Sequence, residues 1–149
     1  MDAFSRKTSD ELFAHFPEWR NFAREEKAKD GTSFLVVSVP PPPEAKVDRD
    51  LLIDTSGQQI ALTFDFYETH FYTLSESGPF ACSSLLNFLQ QVMSEQTAVI
   101  SWWLDNDWCG ASQLKPGASF PQSIEPFVTR FNRKRVRSWK GTFNADTEA

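Results

Sequence analysis

Ile60-Ala61-Leu62-Thr63-Phe64-Asp65-Phe66-Tyr67 alternates without a break, with Ile60, Leu62, Phe64 and Phe66 on one side of an extended chain and Ala61, Thr63, Asp65 and Tyr67 on the other. A period of two is what a half-buried strand requires, because successive side chains of a pleated backbone point to opposite faces. Immediately before it, Leu51–Asp54 is a short apolar run followed by Thr55-Ser56-Gly57, a turn composition. The spacing therefore predicts a hairpin of 51–54 with 59–67.

Toward the N-terminus, Ser33–Val39 reads SFLVVSV and runs into Pro40, Pro41, Pro42 and Pro43. β-Branched residues favour a strand, and four consecutive prolines end it in a polyproline II excursion, read as a loop or edge cover, with an SH3-type ligand as the alternative its composition allows. Thr8 and Glu11 have the spacing of a capping box, which places a helix start there. Leu12, Phe16, Trp19 and Ala23 then recur at helical spacing, flanked by Phe13 and Phe22, with Glu25, Glu26, Lys27 and Lys29 at the polar end. Pro17 disfavours helix at Phe16 and suits a first helical turn, so the helix is expected in two parts, stopping at Asp30-Gly31.

Toward the C-terminus, a helix opening near Pro79 presents Leu85, Leu86, Leu89, Val92 and Met93 as one stripe. Ala98–Leu104 and Trp108–Leu114 read as strands joined by Asp105-Asn106-Asp107, a turn composition. Lys115 to Phe127 carries Pro116, Gly117, Pro121 and Pro126 and reads as a loop. A last strand falls within Lys134 to Phe143, and Thr147–Ala149 frays. The resulting order is α-βββ-α-βββ. Short connections between neighbouring strands favour an antiparallel sheet, giving an α+β fold of about six strands with helices packed on one face.

Composition is that of a globular chain: 149 residues, 40% hydrophobic and 23% charged. These values lie far from the profile of disorder and suit one domain over 1–149. Aromatic residues are abundant, with Phe 14, Trp 5 and Tyr 2. No apolar stretch is long enough to span a bilayer, and MDAFSRKTSDELF lacks the apolar core of a secretory signal, so a cytoplasmic protein is expected. Cys82 and Cys109 stand outside any CxxC or zinc spacing and are read as reduced thiols. Net charge is −5, although Arg130, Arg133, Lys134, Arg135, Arg137 and Lys140 gather six cations into one short segment. The remainder is strongly acidic, a balance that attracts basic partners and repels nucleic acid.

No catalytic signature is found. Asp65, Glu68 and His70 match no metal-ligand spacing, and Asp105 with Asp107 belong to a turn, where both carboxyls stay solvated. GxSxG, P-loop and GxGxxG patterns are absent, so neither cofactor, metal nor catalytic residue is expected. The segment RFNRKRVRSWKGTF interleaves cations with Phe131, Trp139 and Phe143, as a nucleic-acid surface does; this is the alternative function. Its strand periodicity instead puts Arg135, Arg137 and Trp139 on one face, within reach of Asp65, Asp54 or a protein partner. Tyr67, Trp103, Trp108, Arg137 and Trp139 are residue types enriched at interface hot spots.

LTFDFYETHF (62–71), NFLQQVMSEQ (87–96), VISWWLDNDWCGAS (99–112) and RVRSWKGTF (135–143) together resemble the small acidic immunity proteins encoded beside bacterial polymorphic toxins, including contact-dependent growth inhibition systems. The resemblance covers Leu51 to Phe143. It implies a non-enzymatic cytoplasmic protein that binds the C-terminal domain of one cognate toxin, commonly a nuclease, and covers its active site or substrate groove. Asp65, Tyr67, Glu68, Trp103, Asp105, Asp107 and Trp108 are the residues expected in that surface, acids against toxin cations and rings into pockets.

Overall fold

The computed structural model describes residues 1–73, 80–115 and 130–148. Helix α1 (Ala3–His15) is followed by a 3-10 turn (Pro17–Phe22), strands β1 (Ala23–Lys27) and β2 (Ser33–Val39), a second 3-10 turn (Pro43–Ala45), and strands β3 (Leu51–Asp54), β4 (Ile60–Phe64) and β5 (Tyr67–Phe71). Helix α2 (Ala81–Met93) then leads to β6 (Ala98–Leu104), β7 (Asp107–Leu114), β8 (Arg133–Arg137) and β9 (Ala145–Glu148). The strands form two antiparallel sheets, β1-β2-β3-β4-β5 and β7-β6-β8-β9. The α+β class and antiparallel pairing are as expected, but among the described residues nine strands in two sheets replace about six in one. The expected helix start near Pro79 and the expected loop over 116–127 lie outside the described residues.

Several local differences separate the structure from that expectation. Helix α1 starts earlier, because Asp2 caps it by accepting from Ser5 N at 2.7 Å. Thr8 lies in the helix interior, where its hydroxyl donates to Phe4 O at 2.9 Å. The charged tail Ala23–Lys27 is a strand, paired with β2 from Ala23↔Val37 to Lys27↔Ser33. Pairing outweighs the helix propensity of its Glu and Lys residues, and their charges blunt a sheet edge. At the other end Thr147 and Glu148 do not fray but pair with Lys134 and Arg133.

Contacts divide the chain into two compact units, one of residues 1–40, 50–63 and 69–89, the other of 41–49, 64–68 and the described residues from 90 onward. The first buries Leu12, Val37, Leu51, Ile53, Ile60, Leu62 and Leu85 completely. Within it a buried Ser5–Thr55 hydroxyl pair, 2.6 Å apart, ties α1 to the end of β3, and Thr55 Oγ1 also accepts from Leu35 N at 2.9 Å. Cys82 is free and buried there. Burial pushes its thiol up to about 12, with Glu11 adding to the effect, so it remains protonated and unreactive.

The second unit is built on β6, the most buried strand of its sheet. Ala98, Ile100 and Trp102 join Leu114 and Val136 in one cluster, against which Cys109, Phe131 and Ala145 pack. Pro41, Pro42 and Pro43 of the proline run belong to this unit. Pro42 has polyproline dihedrals (φ −55°, ψ 146°), and the turn after it buries Ala45. Asn144 Nδ2 donates to Ala45 O at 2.7 Å and Arg137 Nε to Lys46 O at 3.3 Å. Gly141 (φ +76°) makes this approach possible, since a Cβ there would lie 2.1 Å from Glu44 O.

Candidate functional site: the hairpin turns of the second unit

Two tight turns, each led by an aspartate in the left-handed region, frame the site. Asp65-Phe66 joins β4 to β5, and Asp105-Asn106 joins β6 to β7, with φ +53° at both aspartates. Aspartate tolerates this region because its short side chain bonds locally. The alternation of 60–67 thus passes through a turn, and the single expected strand 59–67 is two. Between β6 and β7 the register slips from Trp102↔Gly110 to Trp103↔Trp108, which makes Cys109 an extra residue. This bulge re-aims the chain so that Trp108 stands opposite Trp103.

Phe66 is the centre of the arrangement. Its ring meets Trp103 edge-on at 4.7 Å and 86° and lies 6.3 Å from Trp108. The guanidinium of Arg49 sits 3.9 Å over its centroid and that of Arg135 5.8 Å away. Trp103 is buried at 8% exposure, its Nε1 donating to Ser101 Oγ at 2.9 Å, with Arg133 5.1 Å over its ring. Trp108 is 52% exposed.

The carboxyl of Asp65, the residue before Phe66, is 3% exposed. Its Oδ1 accepts from Arg135 Nη2 at 3.1 Å, while Oδ2 is buried without a hydrogen-bond partner among the described residues. Burial raises its pKa above the ordinary 3.8, and the opposing pull of Arg135, Arg137 and Arg49 does not cancel that. The other cations of β8 are also engaged. Arg137 grips Asp146 through two bonds of 3.2 Å, Lys134 lies 5.6 Å over the Phe131 ring, and Arg133, over the Trp103 ring, stands opposite Glu148 in the strand register. The C-terminal strand β9 therefore faces the basic strand with acids.

Of the seven residues expected in a partner surface, Glu68, Asp105, Asp107 and Trp108 are exposed and Tyr67 is half-buried. Tyr67 OH accepts from Gln113 Nε2 at 2.9 Å. Asp65 and Trp103 are corrections: both are buried in the second unit, one paired with Arg135 and the other packed on Phe66, so neither is an exposed contact. The sequence reading missed Phe66, Arg49 and Asn132. Asn132 clasps the second turn, accepting from Asp105 N and donating to Asp105 Oδ1, both at 2.8 Å. Beside it lies an open cleft of about 460 Å³ lined by Asp105, Asn106, Asn132, Arg133 and Glu148. Among the described residues no three His, Cys, Asp or Glu side chains group as metal ligands would. No described helix is long and apolar enough to cross a membrane.

Compared with protein-family models, curated proteins and solved structures, the chain finds no match.

Proposed function

We propose that the chain is a cytoplasmic immunity protein, which uses the exposed hairpin end of its second unit to bind and neutralise one cognate bacterial toxin domain, commonly a nuclease. It acts by covering that domain's active site or substrate groove, without a cofactor and without catalysing a reaction. The observation that carries this reading is Trp108, 52% exposed at a bulged hairpin and next to the exposed turn acids Asp105 and Asp107. A large ring on a fixed backbone fills a partner's pocket at low entropic cost, and neighbouring carboxylates steer the approach of a basic groove. A nucleic-acid role is less well supported, because Arg135 and Arg137 already hold Asp65 and Asp146.

The test is co-expression with the toxin gene next to the coding sequence, paired with titration of the purified proteins. Growth is restored by the native chain. Trp108→Ala and the double variant Asp105→Lys/Asp107→Lys each weaken the complex by about 30-fold or more, the scale of a hot-spot loss. Unchanged affinity in both variants removes this hairpin from the contact. A steep, salt-dependent shift of DNA or RNA by the protein alone favours the nucleic-acid reading instead.

A further inference from the structure

We infer that Arg49 is a second contact of the same surface, preset to receive an aspartate or glutamate side chain of the partner protein. This deepens the binding reading above and rests on it. Arg49 is an exposed residue whose guanidinium lies 3.9 Å over the Phe66 ring. Its sequence neighbours are Asp48 and Asp50, yet among the described residues it forms no ion pair and no hydrogen bond with either, and it acts on Asp65 only through its charge, while Arg135 makes the hydrogen bond there. The arginines of β8 differ: Arg135 holds Asp65, and Arg137 holds Asp146 and Lys46 O. Arg49 is thus positioned by an aromatic face and keeps its N–H donors available.

Two physical consequences follow. An arginine normally loses several rotatable bonds of freedom on binding, and one already seated on a ring loses less, so a carboxylate meeting it gains more net affinity. The planar fork also matches two carboxylate oxygens at once. The occupant is a protein carboxylate and not a nucleic-acid phosphate, because Glu68, Asp105 and Asp107 are exposed in the same unit and repel a polyanion. A folded partner can set one acid among cations; a phosphate chain cannot. Arg49 and Trp108 both lie near the Phe66 ring, at 3.9 and 6.3 Å from its centroid, close enough for one partner segment to engage both.

The experiment titrates the toxin domain encoded by the neighbouring gene, inactivated for handling, into the full-length native chain and into Arg49→Ala, Arg49→Lys and Arg49→Glu. Arg49→Ala is expected to weaken binding by about 30-fold or more and Arg49→Glu further, with Arg49→Lys recovering only part because it keeps charge but loses the fork. Thermal midpoints of the Lys variant stay with the native chain, which separates contact from folding. Replacing the responsible partner acid by arginine restores binding to Arg49→Glu. A complex that needs Trp108 but is indifferent to Arg49→Ala overturns this inference alone, whereas absence of any complex with the native chain overturns the binding reading and this inference with it. A single-stranded DNA that binds the native chain and is released by Arg49→Ala places a phosphate at the guanidinium and overturns the protein-carboxylate assignment.

Discussion

The two aspartate-led turns are alike in backbone and opposite in fate. Asp65 and Asp105 share φ +53°, and each links two antiparallel strands through two residues. Yet Asp65 is 3% exposed and paired with Arg135, whereas Asp105 is exposed and bonded to Asn132. The residue after each aspartate repeats the contrast, since Phe66 is wrapped by two tryptophans and two guanidiniums while Asn106 lines an open cleft. Turn chemistry chooses the aspartate, but what packs over the turn decides whether its carboxylate is a structural ion or a surface charge.

The comparison is broken most directly by removing each acid. Alanine at either position carries the same left-handed penalty, about 1 kcal/mol. Asp65→Ala also strands the Arg135 guanidinium, only 15% exposed, in a poorly solvated site. Its excess cost over Asp105→Ala is expected to be about 3 kcal/mol, read from urea unfolding midpoints at equal slope. Equal destabilisation of the two variants would show that the Asp65 pair is solvated after all.

A smaller effect sharpens the second turn. Asn132→Ala removes both hydrogen bonds to Asp105 and costs about 1 kcal/mol, since the groups are exposed and water replaces part of the loss. Backbone amide exchange at Asp105 and Asn106 should rise while that at Trp103 does not. Exchange spreading along β6 would mean that the clasp supports the strand as well as the turn.

The smallest effect is the pH response, and here Asp65 is set against Glu95. Burial raises the Asp65 carboxyl in the folded chain, so its contribution to stability is complete below its ordinary value of 3.8 and is lost as pH rises through the folded value. For Glu95, burial also pushes upward, but hydrogen bonds from Ser138 and Thr142 outweigh it and hold the carboxyl below the ordinary 4.5. Its contribution is present above that value and lost as pH falls through the folded one. Unfolding free energy followed through the acid range should therefore lose its falling component in Asp65→Asn and its rising component in Glu95→Gln. Slopes of the same sign for the two variants would contradict the assigned shifts.

Much of the strand framework was legible beforehand. Ser33–Val39, Leu51–Asp54 and Ala98–Leu104 have the boundaries read from their β-branched and alternating patterns. The break in 59–67 was not legible, because Asp65-Phe66 contains neither Gly nor Pro and the period of two continues across it. β1 was hidden by helix-forming residues whose strand state depends on pairing with β2. Of the expected surface, Trp108 and the turn acids were readable from residue type and turn position, whereas the burial of Trp103 was not, since alternation assigns sides without saying what covers them.

The sequence by itself determined an antiparallel α+β chain, its turn at Asp105-Asn106, its proline excursion and its acidic balance, because these depend on neighbours along the chain. The tertiary structure alone decided which acid is buried, which tryptophan is exposed, and that Phe66 holds Arg49. The physical reason is distance along the chain: Arg135 reaches Asp65 across 70 residues, and local periodicity offered Asp65, Asp54 or a protein partner to that strand face without choosing among them.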